Sequence, residues 1–327
     1  MLGSNPRDCS GSLAGRQTQR LSREPPIDYL HGSEAFDLDY AREPFEVEAP
    51  ITQKSPIIYC SPHSGSDYPE EFLRNSPLEL LALRKSEDCF VDEIFGAAPM
   101  LGSPLLKANF PRAYLDVNRE PYELDPAMFR DPLPTYANTT SYRVAGGFGT
   151  VARVVAEGLE IYAEKLPLAE AERRIETLYM PFHDTLTGLL DETKSRFGCA
   201  VVVDCHSMPS SAGRRSRNNG YQRPDIILGD RFGTSCAPII VETAEQLLVD
   251  QGYSVTRNAP YAGGHTVQRY GRPTSGIHAL QIELSRGLYM DEERIERLPE
   301  LDRLVDNMGE LVSALACIDG SKLTPRD

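Results

Sequence analysis

Two apolar runs that each lead to a histidine constrain the fold of this chain more than any other feature. Pro56–Cys60 is followed after two further residues by His63, and a second run that begins at Ala200–Val203 reaches His206. Runs this apolar are typical of strands that are covered on both faces, as in the middle of an α/β sheet. Each histidine is therefore predicted at the end of a buried strand.

Helical patterns alternate with the strands along the chain. Further strands are predicted at Leu105–Tyr114, Ile226–Leu228, Tyr253–Arg257 and Ala279–Leu284. Helices are predicted over Val151–Leu166, Leu168–Thr193, Ala237–Gln251 and Asp291–Ala316. A glycine-rich loop is expected at Tyr261–Arg272. The alternation predicts an α/β fold with a largely parallel sheet and helices on both faces.

The chain is predicted to hold one large domain. Residues 1–50 are mostly polar without sustained periodicity, and we interpret them as a leader and approach segment that is partly disordered. Residues 51–318 form the predicted domain, and residues 319–327 a C-terminal tail. The polar segment Ser207–Pro224 is predicted to be a mobile loop.

Composition disfavours two classes of partner. The net charge of −14 and a pI of about 5.0 argue against nucleic-acid binding, because a phosphate backbone repels such a surface. The chain has no run of 18 apolar residues, so we expect no membrane span. Its seven cysteines form no C-x-x-C pair, which indicates reduced thiols and a cytoplasmic location. The oligomeric state stays open.

The two histidines are predicted where α/β sheets bind ligands. Such sites gather at the carboxyl ends of strands, and His63 and His206 each follow one. Two imidazoles at like positions suit a divalent metal such as zinc. The alternative for either residue is a hydrogen bond to a loop carbonyl. Their shared placement favours the metal.

The third ligand of such a metal is not decided by spacing. A catalytic zinc ion usually has three protein ligands and one position open to water. Ser66 stands three residues after His63, so the H-x-x-E pair of zinc exopeptidases is absent. The nearest carboxylates are Asp67, Glu87 and Asp88. Asp88 precedes a helix predicted over Cys89–Ala98, where its other role is an N-terminal cap.

Asp204 lies two residues before His206, so both side chains point to the same side of the strand. It either orients His206 from behind or binds the metal directly. Cys205 points the opposite way, which argues against a cysteine–histidine nucleophile pair. The chain also lacks a Gly-x-Ser-x-Gly elbow, so a metal-free serine or cysteine hydrolase is disfavoured.

Glu283 is a charge inside an otherwise apolar strand, and a lone buried carboxylate is costly. One explanation is a salt bridge with Arg286. The other is a general base that activates water, with its pKa raised by burial.

Three arginines flank the proline-rich loop Glu120–Ser141: Arg112, Arg119 and Arg143. In so acidic a protein, arginines near a site favour bidentate recognition of a substrate carboxylate. The alternative for each is a solvated surface position. Gly264 belongs to a loop where the backbone could approach a ligand.

Taken in order, six segments resemble the N-formylglutamate amidohydrolase family. They are Pro62–Gly65 with Tyr68 and Pro69, Asp116–Pro121, Asp204–Pro209, Leu228–Asp230, Pro260–Gly264 and Gln281–Glu283. The resemblance runs from about residue 56 to residue 295. It implies an α/β/α sandwich around a mixed sheet, similar to the zinc carboxypeptidase and aspartoacylase group, as a single catalytic domain.

The resemblance also implies a reaction: hydrolysis of a formyl or other acyl amide on an acidic amino acid, a small-molecule substrate. It implies zinc or another divalent metal on His63 and His206, with Asp88 as the preferred third ligand. Glu283 would activate water. For the substrate, it implies carboxylate binding by Arg119, and we add as candidate contacts Arg112, Arg143, Asn118 and Gly264.

One departure concerns the acyl group. Family members that act in histidine breakdown carry an Asp-Thr-Asp-Trp run where this chain has Ser86–Cys89, and this chain has no tryptophan. Another N-acyl amino acid is therefore an alternative substrate. A binding protein that kept the scaffold and lost catalysis is the rival from another class, although every residue needed for turnover is present.

Overall fold

A seven-stranded mixed sheet forms the centre of the structure. The computed structural model describes residues 43–155, 158–211 and 224–325, which belong to one compact unit, Asp39–Asp327. The strands are β1 (Phe45–Glu48), β2 (Ile57–Ser61), β3 (Leu105–Ala108), β4 (Ala200–Met208), β5 (Ile226–Gly229), β6 (Val255–Arg257) and β7 (Ile277–Ser285). Their order across the sheet is β1-β3-β2-β4-β7-β5-β6.

The strands β3, β2, β4 and β7 run parallel at the centre of the sheet. β1 pairs antiparallel with β3, and β5 pairs antiparallel with β7 and parallel with β6. The mixed, largely parallel sheet is therefore confirmed. The carboxyl ends of the parallel strands meet at one edge, where α/β folds build their sites.

Helices cover both faces of this sheet. They are α1 (Glu70–Asn75), α2 (Leu80–Arg84), α3 (Val91–Ile94), α4 (Tyr142–Ala145), α5 (Leu168–Arg174), α6 (Met180–Phe197), α7 (Pro238–Asp250), α8 (His265–Tyr270) and α9 (Glu300–Ala316), with a π-helical turn at Ile175–Tyr179 and short 3₁₀ helices at Pro126–Met128, Pro273–Ser275, Arg286–Leu288 and Gly320–Lys322. Val201, Val203 and Cys205 of β4 pack in one core cluster with side chains of α3, α7 and α9. α6 and α8 also contact β4, and Phe182 of α6 is buried outside that cluster. Alternate residues of β4 thus face opposite layers.

The predicted helix over Val151–Leu166 is wrong. Among its described residues Val154 pairs with Glu160 in an isolated bridge, and Gly158 has a φ of +77°. A residue in the left-handed region cannot continue a right-handed helix, so the chain turns back at this glycine.

Two further boundaries differ from the predictions. α8 lies within the stretch predicted as a glycine-rich loop, because the residues between Gly264 and Gly271 contain no glycine and bury Val267. The closing helix begins only at Glu300, since Pro299 is tolerated at a helix start and not in its interior. The residues before it form a small hairpin of β8 (Met290–Asp291) and β9 (Glu296–Arg297).

The folded unit extends past both predicted domain boundaries. β1 lies before residue 51, and Leu323 lies beyond residue 318, where it is buried and its carbonyl is 2.7 Å from His278 Nε2. The predicted leader up to residue 42, and residues 212–223 of the predicted mobile loop, lie outside the described residues. Within the described ranges, no helix is both long enough and apolar enough to cross a membrane.

Candidate active site

A pocket of about 640 Å³ is lined by residues that follow the parallel strands. Pockets of this size are typical of small-molecule sites. Asp204 is the one residue predicted for the site that does not line this pocket. The predicted residues that do line it are His63, Asp88, Arg112, Asn118, Arg119, Arg143, His206, Gly264 and Glu283.

Two imidazoles and one carboxylate meet in this pocket. The ring centroids of His63 and His206 are 4.8 Å apart. Asp88 Oδ2 lies 3.3 Å from Nδ1 of His63 and 3.0 Å from Nδ1 of His206. All three side chains are buried, and their candidate ligand atoms lie within 4.8 Å of one another. Both imidazoles therefore present the same nitrogen to the carboxylate.

The sheet brings the two histidines together, and a backbone hydrogen bond places Asp88 beside them. His63 follows β2 and His206 lies on β4, and these strands are neighbours in parallel register. The Asp88 N–H donates to the His63 carbonyl at 2.9 Å, which holds its turn beside the first histidine. The N-cap of α3 is Phe90, so the alternative helix-cap role of Asp88 is excluded.

Each imidazole contacts a second carboxylate on its other side. His63 Nε2 is 2.7 Å from Asp116 Oδ1, and His206 Nε2 is 2.9 Å from Asp204 Oδ2. Carboxylates at these positions favour a proton on Nε2 and leave the lone pair on Nδ1. Nδ1 of His63 is buried and has no hydrogen-bond partner within the described part of the chain.

This donor set fits a divalent metal ion. A buried polar atom without a partner is rare in folded proteins and indicates a missing ligand. Two imidazole nitrogens and a carboxylate oxygen are a common set for zinc. Burial opposes charge on His206, but the carboxylates of Asp204 and Asp88 hold its pKa well above the usual value. The same negative surroundings would attract a metal cation.

Asn118 supports His206 through Asp204. Its Nδ2 donates to Asp204 Oδ2 at 3.2 Å and lies 3.0 Å from His206 Nε2, and its Oδ1 accepts from the Thr266 N–H. Both polar atoms of the Asn118 side chain therefore have partners within the protein. This favours a role in aligning His206 over the predicted contact with substrate.

Asp116 links the histidine to two of the predicted arginines. Arg112 Nη2 lies 2.7 Å and Arg119 Nη2 3.3 Å from Asp116 Oδ2. Burial opposes the charge of this carboxylate, but the two guanidinium groups hold its pKa well below the usual value. Asp116 is thus ionised and held in place.

The predicted arginines differ in how many donors remain for a ligand. Arg119 also donates to the carbonyls of Asn118 and Phe148, at 2.8 and 2.9 Å, so its guanidinium is largely occupied. Arg143 Nη1 lies 3.7 Å from Glu123 Oε2, beyond hydrogen-bonding distance. Arg143 therefore has more donors available for a ligand than Arg119.

Glu283 lies directly across from His206 in the register of β7 and β4. Its Oε1 accepts from Gln281 Nε2 at 2.8 Å, and Gln281 Oε1 accepts from the Gly264 N–H at 2.6 Å. Burial raises the pKa of Glu283 to about 7; nearby His206 opposes the rise and Asp88 adds to it. The N–H of Gly264, predicted to contact substrate, is used to hold Gln281.

Arg286 pairs with Asp88, and the salt bridge considered for it with Glu283 is absent from the described contacts. Its Nη2 donates to Asp88 Oδ1 at 3.0 Å, Nη1 to the Lys85 carbonyl at 3.0 Å, and Nε is 3.2 Å from Ser207 Oγ. This three-point contact holds Asp88 so that Oδ2 faces the histidines.

Cys205 is placed as predicted, away from the pocket. Its side chain lies in the core cluster, and burial raises the pKa of its thiol well above the usual value. A protonated thiol on the wrong face of β4 cannot act as a nucleophile in the pocket.

Comparisons with known proteins agree with the resemblance of the motifs. The N-formylglutamate amidohydrolase family profile matches residues 55–290. N-formylglutamate deformylase of Pseudomonas putida is 29% identical over 240 residues, which cover 72% of this chain and 82% of that protein. The deformylase of Pseudomonas aeruginosa is 29% identical over 241 residues, which cover 73% and 83%.

Solved structures show the same fold. The crystal structure of N-formylglutamate amidohydrolase from Ralstonia eutropha JMP134 is similar with a TM-score of 0.79 and 36% identity, covering 84% of this chain and 97% of that one. The gene product Atu2144 from Agrobacterium tumefaciens has a TM-score of 0.61 at 19% identity, covers 85% and 95%, and supports the fold alone.

Fold, pocket and comparisons together define an amidohydrolase, an enzyme that acts on a C–N bond. More particularly, the chain belongs to the N-formylglutamate amidohydrolase family.

Proposed function

We propose that this chain hydrolyses the N-formyl amide, or another N-acyl amide, of an acidic amino acid such as N-formyl-L-glutamate. The family match and the names of the two Pseudomonas relatives support the reaction. The observation that carries the proposal is the meeting of Nδ1 of His63, Nδ1 of His206 and Oδ2 of Asp88 in one pocket with Glu283.

His63, Asp88 and His206 are the residues that would hold a divalent metal ion, with zinc as the first candidate. Such an ion would supply Lewis-acid polarisation of the amide carbonyl and a lower pKa for water. Asp116 and Asp204 hold the imidazoles so that both Nδ1 lone pairs converge.

Glu283 is the proposed general base. Its carboxylate takes a proton from the attacking water, whose oxygen adds to the acyl carbon. The same proton passes to the amine nitrogen as the C–N bond breaks, which releases formate and the free amino acid. A pKa of about 7 suits transfer in both directions near neutral pH. Gln281 binds Oε1 and leaves Oε2 for the proton.

Arg143, with Arg112 in support, is the proposed carboxylate site. Both line the pocket, and a charge-assisted pair from a guanidinium gives geometric specificity for a carboxylate. Arg119 was the preferred residue on the motif alone. Its contacts with two carbonyls and Asp116 give it a supporting role instead.

The proposal is tested by assaying the purified protein for formate release from N-formyl-L-glutamate. The same preparation is screened with N-acetyl and N-succinyl amino acids and analysed for metal. We expect turnover to be lost with a chelator and restored by zinc. Unchanged turnover after complete removal of metal would refute the metal site. Binding of acyl amino acids without hydrolysis would identify the rival, a binding protein on the same scaffold.

A further inference from the structure

Tyr261 lines the pocket and has no part in the mechanism above. Its side chain is half-buried, and across the described ranges its hydroxyl forms no hydrogen bond. A phenol normally finds a partner when it is removed from water. Among the described residues, the pocket that holds His63, Asp88, His206 and Glu283 therefore contains a hydroxyl donor without a partner.

The backbone that carries Tyr261 is fixed by the protein on its C-terminal side. The Ala262 carbonyl accepts from the Arg231 N–H at 2.8 Å, and the Gly264 N–H donates to Gln281 at 2.6 Å. A Cβ atom on Gly264 would lie 2.6 Å from Nδ2 of Asn118, so this backbone packs against the amide that donates to Asp204 beside His206. The phenol is thus presented from a segment tied to the reacting centre.

The charges that act on the Tyr261 hydroxyl are those of the reacting centre: Glu283, Arg286, Asp88 and Arg112. Burial is the main reason that the pKa of this phenol is raised above its usual value, and Glu283 adds to it. The hydroxyl therefore keeps its hydrogen at neutral pH and acts as a donor.

We propose that the Tyr261 hydroxyl is a further catalytic group, which donates a hydrogen bond to the substrate's amide carbonyl oxygen as water adds and that oxygen gains negative charge. The proposal rests on the proposed hydrolysis and extends it. No proton is transferred: the O–H bond stays intact and the hydrogen bond strengthens in the transition state. A donor that is carried by a fixed backbone and has no partner among the described residues stabilises such an oxygen with little reorganisation.

Replacement of Tyr261 by Phe removes one oxygen that has no partner in the described structure. We expect kcat to fall by about 100- to 1,000-fold with KM changed by less than about threefold, as for loss of one donor to an oxyanion. Metal content and thermal midpoint should match those of the wild type. Tyr136→Phe is the matched control, because Tyr136 is 64% exposed and is not among the described residues that line the pocket.

A second measurement does not need turnover. A phosphinate analogue of N-formylglutamate, with tetrahedral phosphorus at the position of the formyl carbon, is titrated calorimetrically into each holoenzyme. We expect Tyr261→Phe to weaken its binding by about as much as it lowers kcat/KM, and Tyr136→Phe to leave it unchanged.

Three outcomes would overturn the role of Tyr261: a wild-type kcat in Tyr261→Phe, a raised KM with unchanged kcat, or equal affinity of both proteins for the analogue. Failure of the proposed function appears differently, as absence of formate release by the wild-type holoenzyme. In that event the calorimetric comparison alone decides whether the phenol binds the tetrahedral oxygen, and absence of binding by the wild type refutes it.

Discussion

Nε2 of His63 lies 2.7 Å from Oδ1 of Asp116, and this contact directs the other ring nitrogen, Nδ1, towards Asp88. The other oxygen of Asp116 binds Arg112 and Arg119. The carboxylate of Asp116 therefore connects the candidate metal site to the two arginines that line the pocket. Loss of the Asp116 carboxylate should disturb the candidate metal site before it disturbs the arginines. The reason is that Nε2 of His63 has no other partner among the contacts described.

We predict that Asp116→Asn weakens metal binding by about 10- to 100-fold, because an amide holds the imidazole less firmly and favours Nε2–H less than a carboxylate. The measurement is competition for zinc with a chromophoric chelator. Asp302→Asn, on the exposed side of α9, is the control and should bind zinc like the wild type. Equal affinity in both variants would mean that Asp116 does not orient His63.

We predict that Arg286→Met destabilises the metal-free protein by about 3–5 kcal/mol, because it removes the guanidinium that pairs with Oδ1 of the buried Asp88. The free energy of unfolding is measured in urea. Arg297→Met removes an exposed pair with Glu93 and should cost at most about 1 kcal/mol. Similar losses in the two variants would contradict the assigned role of Arg286.

We predict that kcat/KM rises with pH and levels off above about pH 7. The active form of a base is the carboxylate, and burial raises the pKa of Glu283 to about 7. Below that pH the carboxyl group is protonated and cannot accept a proton from water. Activity is therefore lost as the pH falls through 7, which is seen in initial rates between pH 5 and about 9.

Replacement of the base itself checks that assignment. Glu283→Gln should retain metal and lower kcat by about 100- to 10,000-fold, the usual contribution of a general base. The residual rate of this variant should not fall as the pH is lowered through 7, as the rate of the wild type does. A variant that keeps the full rate would show that another group removes the proton.

We predict that Arg143→Met raises KM for N-formylglutamate by about 10- to 100-fold, as expected for the loss of a charge-assisted hydrogen bond. The effect should be smaller for N-formyl derivatives of uncharged amino acids if Arg143 binds the side-chain carboxylate. Arg119→Met should instead lower protein stability, because it frees the carbonyls of Asn118 and Phe148. A larger rise of KM in the Arg119 variant would restore the role expected from the motif.

Local patterns located the central strands, but they extended β3 to Tyr114 instead of Ala108 and did not predict β1 (Phe45–Glu48). The period of two along β4 correctly separated Asp204 and His206 from Cys205, because successive strand residues face opposite sides. The same rule applied to β7 would have pointed to Gln281, two residues before Glu283 and on the same face. The helix predicted after Val151 failed because apolar spacing does not register the left-handed turn at Gly158.

The sequence by itself determined that His63 and His206 lie near the carboxyl ends of buried strands and that Glu283 is a charge among apolar residues, because apolar runs and their ends are local properties of a chain. Only the tertiary structure decided that Asp88 completes the cluster and that Arg286 binds Asp88. Those pairs, His206 with Asp88 and Arg286 with Asp88, are 118 and 198 residues apart. Contacts at such separations follow from the order of strands in the sheet and the paths of the loops, which no short stretch of sequence encodes.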